Sequence, residues 1–172
     1  MRIEEELKLD YSDVLFRPKR STLKSRKEVS LARTYKFKHS NREWTGVPIL
    51  ASNMDGVGEL QVAKSLSKFD MITSLTKQHD LESINNFSSI KDIFNFVALS
   101  CGTSKDSYDR LNKIISQHTY VQFICIDVAN GYSENFSHFV SSVREKYPSK
   151  TIVAGNVVTA DMTQELILSG AD

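Results

Sequence analysis

Cysteine, proline, tryptophan, long apolar runs and an excess of either charge are all scarce in this 172-residue chain. Each scarcity excludes something. With only two cysteines, Cys101 and Cys125, a disulfide framework is ruled out and no metal-ligand spacing exists, so a reducing, cytoplasmic setting is expected. No apolar run approaches the ~18 residues of a membrane span. The acidic start, Met1 to Glu6, lacks the apolar centre of a signal peptide, so no membrane partner is expected. Lys and Arg number 22 against 21 Asp and Glu, a net charge of +1, which gives no electrostatic reason to expect nucleic acid as a partner. The seven glycines include no Gly-x-Gly-x-x-Gly after the first expected strand of the main sheet, the fingerprint of a dinucleotide-binding open sheet.

What is present is an ordinary core-forming composition, 40% hydrophobic and 25% charged, on a chain long enough for one domain. The most informative stretch runs from Val121 to Tyr132. A strand-like run through Phe123-Ile124-Cys125-Ile126 ends at the carboxylate of Asp127, and a small-residue turn leads into a helical pattern from Ser133. Four other segments share this layout. Pro48 to Asn53 is followed by a helix over Gly58 to Phe69 with Leu60, Ala63, Leu66 and Phe69 on one face. Met71 to Leu75 is followed by a helix capped by Asp80 that carries Ile84 and Phe87. Phe94 to Ser100 precedes a helix capped by Ser104, and Thr151 to Asn156 precedes one over Met162 to Leu168 closed by Gly170. Alternating strands and helices predict a parallel sheet with right-handed crossovers.

Residues 1–47 differ in texture and are expected to form an N-terminal arm and hairpin, with a basic loop at Arg17 to Arg26, a strand over Ser30 to His39, a turn at Asn41 to Glu43 and a return at Trp44. Residues 48–172 are expected to hold the first five βα units of a TIM (β/α)8 barrel, cut short. The alternative is a doubly wound open sheet. The barrel is preferred because nearly every strand ends in a small or reactive polar group: Asn53, Lys77, Cys101 to Thr103, Asp127 and Asn156. A barrel gathers all its strand C-termini on the one face where active sites are built. A complete barrel takes ~250 residues, so the chain reads as part of a longer protein.

Several motifs together resemble the IMP dehydrogenase / GMP reductase family. Leu9-Asp10-Tyr11-Ser12-Asp13-Val14-Leu15 is similar to its opening motif, and Ala51-Ser52-Asn53-Met54-Asp55 to its first-strand motif. The basic arm Arg17 to Arg26, the turn Asp127 to Ser133 and the fifth unit, Ala154 to Thr159 with Glu165 to Asp172, resemble the GMP reductase branch. The third strand follows promptly, without the regulatory insertion usual in the dehydrogenases. The resemblance implies NADPH-dependent reductive deamination of GMP to IMP and ammonia, in a cytoplasmic homotetramer. It also implies a cysteine nucleophile and a potassium ion on a loop after strand six, beyond Asp172, so that no catalytic nucleophile lies in this chain and the chain alone is expected to be inactive. The rival readings are a non-catalytic fragment that binds nucleotide or associates with other subunits, and an IMP dehydrogenase.

The resemblance implies cofactor contacts at Ser25, Arg26, Lys77, Asp127, Val128 and Ala129, with Lys77 also an assisting group in catalysis. It implies substrate contacts at Ser52, Met54 and Asn156, with Asn53 beside them. Each has a plainer reading. Asp127 can be a helix-capping carboxylate, Lys77 a surface lysine, Ser25 and Arg26 part of a solvated loop, Met54 core and Asn156 a turn amide. Thr76, Gln78 and His79 stand where the branch usually has His, His and Tyr, and Gly56 replaces a common threonine, so the geometry around both turns is open. Cys101, at a strand C-terminus, imitates a nucleophile but has no paired histidine in its motif. Cys125 reads as an inert core residue.

Overall fold

The computed structural model describes residues 7, 9–88 and 90–172; the acidic start at Met1 to Glu6 lies outside the described residues. By contact density the chain divides into two units, Met1–Ser30 and Leu31–Asp172, a boundary that falls before the hairpin. Every described residue of the first unit is exposed. Among its described residues the regular structure is two 3-10 turns, Tyr11–Asp13 and Arg26–Glu28. Asp10 and Asp13 close the first as a reciprocal capping box, and the Ser25 hydroxyl accepts from the Lys27 amide to start the second.

The second unit opens with the antiparallel hairpin β1 (Arg33–Lys36) and β2 (Glu43–Gly46), in which Tyr35 faces Trp44. The sheet that follows has five parallel strands: β3 (Leu50–Ala51), β4 (Ile72–Leu75), β5 (Val97–Cys101), β6 (Phe123–Asp127) and β7 (Thr151–Gly155). Their spatial order is their chain order. A doubly wound sheet reverses direction at a switch point; here every crossover steps the same way, as in a barrel. The sheet is a curled half-barrel with two open edges, at β3 and β7.

The helices are α1 (Leu60–Leu66), α2 (Leu81–Asn85), α3 (Ile90–Ile93), α4 (Lys105–Gln117), α5 (Glu134–Lys146) and α6 (Ala160–Leu168). Leu111 and Ile114 of α4, Phe136, Val140 and Val143 of α5 and Leu166 of α6 pack on the outward residues of the sheet, among them Leu75, Val97, Leu99, Ile124 and Ile152. Asp80 and Ser104 cap α2 and α4, as their positions predict. Gly170, at φ +111°, ends α6 in a Schellman motif: its amide donates to the Ile167 carbonyl and that of Ala171 to Leu166.

Three boundaries differ from expectation. Phe69 is 64% exposed, because α1 stops at Leu66 and tightens into a 3-10 turn that swings Phe69 off the inner face. The helix expected to run through Phe87 ends at Asn85, and α3 begins again at Ile90. Phe94–Phe96 is a 3-10 turn, and its strand starts at Val97. Aromatic residues there favour a strand locally, but Phe94 is instead packed edge-on against Tyr120 at 4.3 Å.

The hairpin plugs the N-terminal end of the half-barrel. Trp44, the only tryptophan, is buried with Ile72, Ala98 and Phe123. The Trp44 and Phe37 rings meet Phe123 edge-on at 6.5 and 5.9 Å. A second anchor is Asp172, whose carboxylate pairs with Arg144 and accepts from the amides of His39, Ser40 and Ile152. It thus ties the hairpin loop, α5 and β7 together. Burial alone would raise its pKa, but the three amides and Arg144 outweigh burial and hold it below the ordinary carboxylate value.

Because the folded pKa of Asp172 lies below the unfolded one, its stabilisation is present above the ordinary carboxylate range and lost as pH falls through the folded value. Urea titrations followed by Trp44 fluorescence should show that decline, and Asp172→Asn should flatten it while lowering stability by about 3–5 kcal/mol, the cost of leaving a buried charge unpaired. An identical pH dependence in the variant would contradict this account.

Candidate functional site

Alternate residues of β4, β5 and β6 point into the half-barrel and form layers. The lowest layer is apolar, with Ile72, Ala98 and Phe123 closed below by Trp44. Two residues further along, the Ser74 and Ser100 hydroxyls are hydrogen-bonded at 2.9 Å, and both hydroxyls also hydrogen-bond the Cys125 thiol. Two residues beyond that, at the C-terminal mouth, stand Gly102 and Asp127.

Lys77 reaches Asp127 from the loop after β4. Its Nζ lies 2.7 Å from Asp127 Oδ2 and donates to the Asp127 carbonyl at 2.7 Å. To do so it crosses the end of β5, where Gly102 has no side chain; a Cβ there would lie 3.9 Å from Lys77 Nζ and 4.0 Å from the Asp127 carbonyl oxygen. Asn156, just past β7, completes the cluster: its Nδ2 donates to Asp127 Oδ1 at 3.3 Å and to the Val128 carbonyl at 3.1 Å. The three side chains come from three strand ends and are all partly open to solvent. A carboxylate flanked by an ammonium and an amide offers acceptors and donors side by side, which suits a ligand carrying an amide or a pair of hydroxyls.

The loop after β3 carries Ser52, Asn53 and Met54, with Ser52 and Met54 exposed and Asn53 half-buried. Its course is set by glycines. Gly56 lies at φ +75°, a conformation strained for threonine, so the substitution goes with a left-handed turn. A Cβ at Gly58 would stand 2.6 Å from the Ser74 carbonyl oxygen. Val128 is half-buried and Ala129 exposed beside Asp127. Ser25 and Arg26 belong to the Met1–Ser30 unit and are exposed there. The structure thus brings together Lys77, Asp127, Val128 and Asn156; Ser25 and Arg26 belong to the other unit.

Two participants carry no role readable in the sequence: Arg110, and Tyr132, which lies inside the Asp127 to Ser133 turn. The Arg110 guanidinium on α4 donates to the carbonyls of Ser100 and His79, binding the ends of β5 and of the Lys77 loop to the helix. The Tyr132 hydroxyl accepts from the Val158 amide and donates to Thr159 Oγ1. Each looks in sequence like an ordinary surface residue, and only the folded loops show what it holds.

Cys101 faces the helices, not the mouth. It is fully buried in the main core, and burial, with the neighbouring Cys125 adding to it, pushes its thiol up to about 12. Burial likewise raises Cys125, against hydrogen bonds from Ser74 and Ser100 that lower it. Among the described residues no group of three His, Cys, Asp or Glu is placed to hold a metal ion. No helix among them is long and apolar enough to cross a membrane.

The family model for the IMP dehydrogenase / GMP reductase domain matches residues 8–172. Curated relatives include a GMP reductase from Citrobacter koseri, 53% identical over 100% of this chain and 50% of that protein. Another GMP reductase, from Enterobacter sp. strain 638, is 52% identical with the same coverage. The chain therefore spans about half the length of these relatives. The crystal structure of an inosine 5′-monophosphate dehydrogenase from Legionella pneumophila superposes with a TM-score of 0.74 over 94% of this chain and 48% of the other, at 24% identity. That likeness establishes the barrel fold.

Neither thiol should react readily in the folded chain. With iodoacetamide at pH 8, labelling of Cys101 and Cys125 is expected to run at least about a hundredfold slower than in urea, since thiolate and access are both withheld. Fast, selective alkylation of native Cys101 would show that the thiol is not held in the core.

Proposed function

Since this chain belongs to the IMP dehydrogenase / GMP reductase family, we propose that it is the cofactor-holding N-terminal part of a GMP reductase, which converts GMP to IMP and ammonia with NADPH. The observation that carries this reading is the Lys77–Asp127–Asn156 cluster at the mouth of a chain whose curated relatives are GMP reductases. A nicotinamide carboxamide has an N–H donor face and a carbonyl acceptor. Asp127 supplies the acceptor, and Lys77 and Asn156 supply donors, so the residues fit the group. Bound NADPH would supply a hydride to purine C2.

Each residue then has a physical task. Asp127 fixes the orientation of the carboxamide. Lys77 holds that carboxylate aimed across Gly102, and assists the chemistry from the same position. Val128 and Ala129 allow close approach beside it. Ser25 and Arg26 reach the adenosine end of a cofactor bound to a neighbouring subunit, where a planar guanidinium suits the 2′-phosphate because it binds bidentately. Ser52 and Met54 line the purine pocket with Asn156. The cysteine nucleophile and the potassium ion are assigned to a loop beyond Asp172. The setting is a cytoplasmic homotetramer.

The IMP dehydrogenase reading is weaker, because β5 follows α2 and α3 without an inserted domain and the structural likeness to a dehydrogenase speaks for the fold alone. A reading as a subunit-associating fragment draws on the open edges at β3 and β7; a concentration-dependent mass in solution without nucleotide binding would favour it.

Fluorescence titration of the chain with NADPH tests the proposal. Asp127→Ala and Lys77→Met should each weaken binding by about ten- to a hundredfold, the range for losing a charged hydrogen-bond partner, while Cys101→Ala leaves it unchanged. Equal affinity in Asp127→Ala would remove the site. The 172-residue chain should show no GMP-dependent NADPH oxidation; turnover would overturn the assignment of the nucleophile to a later loop.

A further inference from the structure

We propose that Tyr132 is a positioning residue that clamps the loop after β7 and thereby sets Asn156 against Asp127. The proposal rests on the cofactor reading above and adds to it a residue that touches no ligand.

The loop after β7 is short, running from Asn156 to the α6 N-cap at Thr159. Val158 at its centre is 91% exposed, so the loop is not anchored there by burial. Hydrogen bonds from the loop after β6 hold it instead. The Val128 amide donates to the Gly155 carbonyl at 2.8 Å, the Asn156 amide to the Val128 carbonyl at 2.9 Å and the Gly131 amide to the Asn156 carbonyl at 2.9 Å. These stop at Asn156. Beyond it, where Val157 packs on the core, the hydrogen bonds between the two loops are made by the Tyr132 hydroxyl, which accepts from the Val158 amide at 2.9 Å and donates to Thr159 Oγ1 at 3.1 Å.

Tyr132 is itself aimed. Its amide donates to Asn130 Oδ1 at 3.0 Å, an Asx turn that fixes the start of its side chain. Gly131 before it is closed to any side chain, since a Cβ would stand 2.8 Å from the Asn156 carbonyl oxygen and 2.9 Å from Val157 Cγ1. The two loops are therefore in contact at Gly131 and bolted at Tyr132. With Asn156 gripped on both sides, its Nδ2 is left only the short arc that reaches Asp127 Oδ1 and the Val128 carbonyl. A half-exposed tyrosine at a nucleotide-facing mouth would ordinarily be read as a stacking surface; here its hydroxyl is fully engaged within the protein.

The test compares wild type with Tyr132→Phe, which keeps the ring and deletes the hydroxyl. Amide hydrogen exchange at Val158 should speed up by about tenfold or more, as expected when a local opening replaces a protected bond. NADPH affinity should fall by about five- to twentyfold, the loss of two neutral hydrogen bonds. In a double-mutant cycle with Asn156→Ala, adding Tyr132→Phe should cost almost nothing further, because the tyrosine acts through the asparagine. A merely structural role would give additive losses, and that outcome overturns the proposal, as does unchanged Val158 exchange or unchanged affinity in Tyr132→Phe. Should Tyr132→Phe fail to fold, Asn130→Ala, which frees the Asx turn, carries the same readouts with a smaller effect in the same direction. A wild-type chain with a protected Val158 amide but no NADPH binding would overturn the cofactor reading and the role assigned to Tyr132 within it, while the tyrosine-dependent exchange would still establish the loop clamp.

Discussion

In a strand, successive side chains point to opposite faces, and in a curled sheet that alternation becomes depth. Ile72 and Ser74 on β4, Ala98 and Ser100 on β5, and Phe123, Cys125 and Asp127 on β6 are steps on the same inward ladder. The rest of the structure depends on that register. A slip of one residue would exchange Asp127 for Ile126 at the mouth and send a carboxylate into the helix-packed core, so the hydrophobic pattern that fixes the register also fixes the site. The inward residues grow more polar from the Trp44 end to the mouth: aromatic and aliphatic, then hydroxyl and thiol, then charged. Along this ladder charge appears only at the mouth, where water can reach it, which keeps desolvation costs low.

Much of this was legible in the sequence, for identifiable reasons. The parallel strands and their order follow from strand–helix alternation, and the caps at Asp80 and Ser104 follow from residue type and spacing. Asp127 stood out because a carboxylate ending an apolar strand has few plain explanations. The failures also have causes. Phe69 and Phe94 were assigned by periodicity and propensity, whereas tertiary packing and a 3-10 turn decided their places. Lys77 could be named as a candidate, but its crossing of Gly102 to Asp127 joins residues far apart in the chain. Arg110 and Tyr132 act through backbone groups of other segments, and no local pattern encodes that.

The two ends of the half-barrel are held by different physics. At the bottom, the hairpin is fixed by aromatic packing on Phe123 and by the buried Arg144–Asp172 pair, a charge site stabilised only because three amides complete its solvation. At the mouth the contacts are hydrogen bonds between partly exposed groups, individually modest and open to exchange with a ligand. A rigid base beneath an exchangeable rim is what a binding barrel requires: the register cannot drift, yet Asp127 and Lys77 can trade their mutual contact for another.

The unusual residues around Lys77 fit this division. Thr76, Gln78 and His79 replace the pattern expected at this turn, yet the lysine still reaches Asp127. Its neighbours are held through their backbones. The Thr76 amide donates to the Gly58 carbonyl at 2.9 Å, and the His79 carbonyl accepts from Arg110. His79 Nε2 also lies 3.1 Å from Glu59 Oε2. Gly58 admits that approach because it has no Cβ to strike the Ser74 carbonyl. Backbone anchoring keeps the base of Lys77 fixed, while the Thr76 side chain is buried, the His79 imidazole lies against Glu59 and only Gln78 of the three is exposed. The lysine's place is thus set by the glycine and arginine that grip its loop through the backbone, and not by the identities of the residues flanking it.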